Sequence, residues 1–456
     1  MRKIIFTVSI LLFTVLNFAQ TIEGNWNGML EVQGTQLKLV FHVANKDGKL
    51  VSTMDSPDQK AFGIPVATTT FESNTINFEL PNAKITYKGM PNADFSAIEG
   101  TFRQGAMELP LKLTKKPIEK APLNRPQTPK EPFSYQQEEV FFENKIDKIT
   151  LAGTLTYPKT KGKFPVVILI TGSGAQDRNE ELFEHKPFAV IADDLTKKGI
   201  AVLRFDDRGI GKSTGSFGNS TTQDFANDVL AAVDFLKTKS NINPKKIGLI
   251  GHSEGGMIAP IVAANSKDIS FIVLMAGPGT PIDELMVEQN TRMAQLSGMS
   301  DEQIKVSSEK NKSIYAIIKN STPENLEKEL TAYLKMTMSN LSDEAVKNQV
   351  QMMSGKWFQY FIKYNPAENL SKVKCPVLAI NGSLDFQVPS AANLKAIETA
   401  LLKGKNKKFK TVELQGLNHL FQEAGTGAFE EYSKIEQTIS PKALDVMSNW
   451  ILQQTK

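Results

Sequence analysis

The chain has 456 residues, 41% hydrophobic and 22% charged, which allows two or three domains with buried cores and excludes a disordered or fibrous protein. A formal net charge of +4 with no long basic run gives no electrostatic footprint for nucleic acid. One cysteine, Cys375, and four histidines exclude an internal disulfide and any Cys/His zinc spacing.

The first segment is a leader by pattern. Arg2-Lys3 precede a mostly apolar stretch from Ile4 to Phe18, and Ala19 supplies a small residue for cleavage. Residues 1–19 are predicted to be a secretory signal peptide, too short to anchor comfortably in a bilayer. No cysteine follows for lipid attachment, so a secreted or periplasmic protein is expected.

From 20 to 115 short runs with β character alternate with turn signals. Leu37 to Val43, Thr75 to Leu80 and Leu109 to Leu113 are predicted strands, and Lys46-Asp47-Gly48-Lys49 is a turn. A small all-β domain follows, a barrel or a sandwich. Its opening Gly24-Asn25-Trp26-Asn27-Gly28 resembles the start of lipocalin-like β domains. Such a domain could act as a reader of surface lipid or glycan. Residues 116–133 hold Pro117, Pro122, Pro126, Pro129 and Pro132 among Lys, Glu and Asn, the composition of a stiff, solvated linker.

Beyond the linker, over 134–456, apolar strands recur at Gln137 to Phe142, Ile149 to Tyr157, Pro165 to Ile170, Ile200 to Phe205, Lys246 to Ile250, Ile269 to Met275, Pro376 to Ile380 and Phe409 to Leu414. Helical periodicity separates several of them, as in Phe225, Val229, Ala232, Val233 and Leu236. The pattern is that of an α/β domain with a mostly parallel sheet covered on both faces. Residues 281–370 carry no strand and are expected to form a helical cap above the carboxyl edge of the sheet. Eight methionines between Met275 and Met353 hint at an adaptable apolar lining, although methionine at helical spacing more often fills a core.

Two Gly-x-Ser-x-Gly sequences compete for the nucleophile. Gly251-His252-Ser253-Glu254-Gly255 lies between a predicted strand and an apolar helix, the context a nucleophile elbow requires. Gly211-Lys212-Ser213-Thr214-Gly215 runs into a loop, and Asp206 stands where a phosphate loop needs glycine. Ser253 is therefore the candidate. A serine needs a base. His42 lies in the β domain and His252 adjoins the serine, whereas the order serine, acid, histidine selects His419 after the last strand, with His185 as the runner-up. Asp385, just beyond the strand ending at Ile380, is the acid expected to orient the imidazole. The backbone N–H groups of Glu254 and of Ser173, in the loop Thr171-Gly172-Ser173-Gly174, are the expected oxyanion donors.

Together with Arg204-Phe205-Asp206-Asp207-Arg208-Gly209, Gly382-Ser383-Leu384-Asp385 and Asn418-His419, these pieces make Gln137 to Lys456 resemble the α/β-hydrolase superfamily, in its branch of esterases and serine-aminopeptidase-like hydrolases. Thr171 replaces the histidine many members carry at the oxyanion loop. The resemblance implies hydrolysis through an acyl-enzyme with no metal or cofactor. A serine hydrolase of small-molecule carboxylic esters is expected. One alternative is an amide hydrolase, for which Glu180, Glu181 and Glu184 could hold a substrate ammonium if they are not simply a solvated loop face; the other is a lipid- or glycan-binding protein with accessory hydrolase activity.

Overall fold

A computed structural model of the chain describes residues 21–32, 35–59, 61–105, 107–118, 123–338 and 341–456. The expected leader, 1–19, and Pro122 of the expected linker lie outside those residues. The chain forms two compact units, Met1–Pro122 and Leu123–Lys456.

The first unit is one antiparallel sheet of nine strands: β1 (Gly24–Val32), β2 (Thr35–Lys46), β3 (Lys49–Ser56), β4 (Ala61–Val66), β5 (Thr68–Glu72), β6 (Thr75–Leu80), β7 (Ile85–Pro91), β8 (Ala97–Gln104) and β9 (Met107–Thr114). Their order is β4-β3-β2-β1-β9-β8-β7-β6-β5. Side chains alternate in and out along each strand, as the buried Ile85, Tyr87, Gly89 and Pro91 of β7 illustrate. Phe41 of β2 stacks on Phe78 of β6 at 4.4 Å although four strands separate them in the sheet. The sheet must therefore curl on itself into a near-barrel, not a sandwich. Its interior is filled by Trp26, Phe41, Phe78, Tyr87 and Phe102, all essentially inaccessible to solvent.

The second unit carries an eight-stranded sheet. Its elements run β10 (Tyr135–Asn144), β11 (Ile149–Pro158), β12 (Phe164–Ile170), α1 (Pro187–Lys197), β13 (Ala201–Phe205), α2 (Thr222–Thr238), β14 (Ile242–His252), α3 (Gly255–Asn265) and β15 (Ile269–Met275). Helices α4 (Ile282–Leu296), α5 (Asp301–Asn320), α6 (Pro323–Thr337), α7 (Asp343–Met353), α8 (Lys356–Lys363) and α9 (Ala367–Leu370) follow, then β16 (Val377–Gly382), α10 (Ser390–Lys403), β17 (Phe409–Leu414), α11 (Phe429–Tyr432) and α12 (Pro441–Thr455). The strand order is β10-β11-β13-β12-β14-β15-β16-β17, the α/β-hydrolase arrangement. From β13 onward neighbours are parallel, while β10 and β11 are antiparallel additions at one edge. Alternation along β12 sends Val166 and Ile168 into a layer with α2, α3 and α10, and Val167 and Leu169 into a layer with α1 and α12. The chain reverses its direction of travel across the sheet at β12, so the loop leaving that strand opens at the crevice where such sheets bind ligands.

The proline-rich stretch is not a solvated linker along its whole length. Arg125 is buried in the second unit and donates to the carbonyls of Phe183, Ser433 and Ile435. Gln127 bonds to the backbone of Thr438 and Ile439. Side-chain donors that reach main-chain carbonyls hold this segment down, and composition alone carries no trace of that.

Candidate active site

Ser253 occupies the turn between β14 and α3 with φ of 52°, a left-handed conformation that a side chain adopts only under constraint. The turn is held by the Ser253 N–H to the Met275 carbonyl and by the Gly256 N–H to the Ser253 carbonyl, each at 2.8 Å. Its glycines are steric necessities. A Cβ at Gly255 would stand 2.2 Å from the Ile170 carbonyl oxygen, so only glycine lets α3 start this close to β12. Ser213, in the competing pentapeptide, is buried and caps a turn, donating to the Asp206 carbonyl and accepting from the Ala152 N–H.

His419 follows β17, and its Nδ1 lies 2.8 Å from Asp385 Oδ2, with both side chains almost fully buried. The other Asp385 oxygen accepts the N–H groups of Gln387 and Val388, which fixes the carboxylate plane. The loop bearing His419 is knitted by Asn418, whose Oδ1 accepts from the N–H groups of Leu420 and Gln422. Ser253 and His419 line one cavity of about 260 Å³. Among the described residues no hydrogen bond joins the Ser253 hydroxyl to the His419 ring. Such contacts are commonly long without substrate and tighten when it binds.

The other histidines are accounted for. His42 bonds to Asn25 and Asp55 in the first unit. His185 bridges Thr438 and the Tyr432 carbonyl, and burial, aided by the nearby Arg125 charge, pulls it down to about 4, so it is neutral. His252 also lines the cavity, and its ring is held between Glu180 and the main chain of His419.

The loop after β12 lies against the elbow. A Cβ at Gly172 would approach that of Ser253 to 3.2 Å. Among the described residues, neither the Ser173 N–H nor the Glu254 N–H has a hydrogen-bond partner, and both residues line the cavity with Ser253. Carboxylates brace this loop from beneath. Asp207 accepts from the Thr171 hydroxyl and the Gln176 N–H, and Asp206 accepts from the backbone and guanidinium of Arg178. Burial, only partly offset by those bonds, pushes Asp207 up to about 8. Burial also acts to raise Asp206, but Arg178 outweighs it and holds the carboxylate below its usual range. Nothing in the pattern Asp206-Asp207-Arg208-Gly209 announced this role, because the partners are thirty residues away.

Helix α8 of the cap contributes Trp357, whose indole N–H donates to the Glu254 carboxylate at 3.0 Å, while Thr222 donates at 2.6 Å. Burial raises Glu254, and the bonds from Thr222, Trp357 and Ser173 oppose it. The apolar wall comes from Leu182, Leu285, Met286, Phe361, Leu420 and Phe429. Among the described residues Met286 is the one cap methionine lining the cavity, and Met293, Met299, Met336 and Met352 are exposed, so the described lining is not rich in methionine. The three acidic residues do not act as one cluster: Glu180 lines the cavity but is buried against His252, Glu181 pairs with Lys186, and Glu184 accepts the Leu123 N–H.

Comparison with known proteins now decides the family. The profile of the X-Pro dipeptidyl-peptidase (S15) family matches residues 147–402, more than half of the chain. The chain belongs to this family. The match includes Ser253 and Asp385 and ends before His419. "Esterase EstD" of Thermotoga maritima is 27% identical over 321 residues, covering 70% of this chain and 69% of its own. Among solved structures, a Pyrococcus furiosus esterase shares 18% identity over 74% of this chain and 100% of its own, with a TM-score of 0.45. Est1E of Butyrivibrio proteoclasticus, solved with ferulic acid bound, shares 21% over 69% and 98%, with a TM-score of 0.42. This S15-family chain is a hydrolase of the α/β-hydrolase class with esterases among its relatives.

Proposed function

We propose that the protein is an exported serine hydrolase that cleaves small carboxylic esters through an acyl-enzyme. The observation that carries this reading is the buried 2.8 Å bond from His419 to Asp385, on a ring that shares its cavity with the strained Ser253. His419 Nε2 takes the Ser253 proton as the oxygen attacks the ester carbonyl, and Asp385 stabilises the imidazolium and fixes its tautomer. The unpaired N–H groups of Ser173 and Glu254 receive the oxyanion, where one donor is worth about a hundred- to a thousandfold in turnover. The imidazolium then protonates the leaving alcohol, and water repeats the sequence to release the acid. Hydrolysis of p-nitrophenyl acetate by the wild type and by Ser253→Ala tests the assignment. The variant should lose at least ~1000-fold in kcat; equal rates would discard Ser253 as nucleophile.

One observation favours amide substrates as a second reading. Glu254 presents a buried carboxylate at the cavity with only neutral donors around it, which suits a substrate ammonium, and the family's name points to dipeptides ending in proline. Rates on an aminoacyl-prolyl anilide and on an acyl ester, measured side by side, separate the two. Export rests on the predicted leader; a mature N-terminus near residue 20, read by mass spectrometry of the secreted or periplasmic protein, is the expected result. Contact of the first unit with lipid or glycan would use its outer surface, where Phe62 and Met90 are exposed, because its interior is filled. Vesicle sedimentation of the full chain against Phe62→Ser tests that role.

A further inference from the structure

Glu180 and His252 lie beside the proposed triad and have no part in its proton transfers. Glu180 Oε1 accepts the Gly172 N–H at 2.7 Å, and the same oxygen lies 2.9 Å from His252 Nδ1. His252 Nε2 lies 3.0 Å from the His419 carbonyl oxygen. A carbonyl oxygen only accepts, so Nε2 carries a proton. A hydrogen bond also needs one proton between Nδ1 and Oε1, and with that proton on the ring His252 is an imidazolium paired with Glu180. Both side chains are largely buried at the edge of the cavity.

We propose that Glu180 and His252 are a positioning pair that holds the oxyanion loop and the base loop in register around Ser253. One oxygen and one ring join three strand ends: the loop after β12 through Gly172, the end of β14 through His252, and the loop after β17 through His419. Shifting the pair moves Ser173 at one side and the His419 main chain at the other. Both shifts degrade transition-state geometry while leaving the apolar wall that binds substrate in place. The loop gives up backbone comfort for this, since Glu180 is held at φ of 52°. The cation is also close to the base, the two rings standing 4.9 Å apart. Glu180 and Asp385 are the carboxylates that face it, and they keep it from opposing the second positive charge that forms on His419. The Glu180 attraction and bonds outweigh burial and raise His252 above its ordinary value.

The proposal rests on the Ser253–His419–Asp385 reading, and its test separates the two failures. Ring-nitrogen NMR of the full-length wild type, with labelled histidine, should show one of the four rings still doubly protonated above the ordinary histidine value of about 6.5, where the others have turned neutral. That signal should vanish in Glu180→Gln and in His252→Gln. On p-nitrophenyl acetate both folded variants should lose about ten- to a hundredfold in kcat with KM nearly unchanged, and the double variant should lose little more than either single one. A wild-type spectrum with no such imidazolium overturns the pair, as do folded variants with wild-type kcat or a loss confined to KM. The spectrum decides even if a variant fails to fold. If Ser253→Ala retains full activity while the imidazolium is present, the triad assignment fails and the pair's protonation stands.

Discussion

At Ser253 a residue with a β-carbon sits where the chain prefers glycine, and the cost is met by an elbow whose neighbours, Gly251 and Gly255, leave no room for another backbone path. The same economy appears at Glu180. A charged residue on a loop is usually solvated, yet this one is buried because a single histidine can satisfy it. The pair carries a pH signature. His252 is raised above 6.5, so its contribution to stability is fully present below the unfolded value and is lost as pH rises through the folded one. Melting temperature should therefore fall more steeply with pH above about 6.5 in the wild type than in Glu180→Gln. Scanning calorimetry across that range checks it, and parallel curves would remove the linkage.

At the scale of elements, the sheet holds the chemistry and helices close over it. Helix α8 is tied to the residue after Ser253 by the Trp357–Glu254 hydrogen bond, a direct link between cap and elbow. Removing one neutral donor from a buried carboxylate typically costs about 1.5–3 kcal/mol. Trp357→Phe keeps the aromatic contact with Phe361 but loses that donor, so the cap should loosen over the cavity. KM for bulky esters should rise about three- to tenfold with a smaller change in kcat. The loss of a bond that opposes burial should also raise Glu254 further. Steady-state kinetics over an acyl-length series would show the effect, and unchanged KM across the series would mean that the bond does not set cap position.

For the molecule as a whole, the boundary between the two units falls ahead of Leu123, so the last prolines belong with the second unit. A chain beginning at Leu123 retains Arg125 and Gln127, and with them the anchors of the loops at Phe183 and at 433–439. One beginning at residue 134 loses them. Several buried bonds disappear together, and the melting temperature of the shorter chain should drop by on the order of 10 °C relative to the longer one. Its rate on p-nitrophenyl acetate should fall as well, because Leu182, Phe429 and Tyr432 in those loops line the cavity. Two purified chains and a thermal melt decide the matter; equal melting would show the segment to be dispensable.

Much of this was legible in the order of residues. Strand–helix alternation in 134–456 reflects which faces must be buried, and that pattern is local, so β12, β15 and β17 could be placed within a residue or two. Ser253, Asp385 and His419 stood out because few residues of the needed types follow a strand in the needed order. What sequence could not supply depends on contacts across long stretches of chain: the curling of nine strands that stacks Phe41 on Phe78, the burial of Arg125, and the brace that Asp207 gives Thr171. Glu180 is the clearest case. Its neighbours in sequence suggest a solvated acidic loop, and only the fold brings it within 2.9 Å of a histidine seventy-two residues away, where desolvation makes the pairing strong.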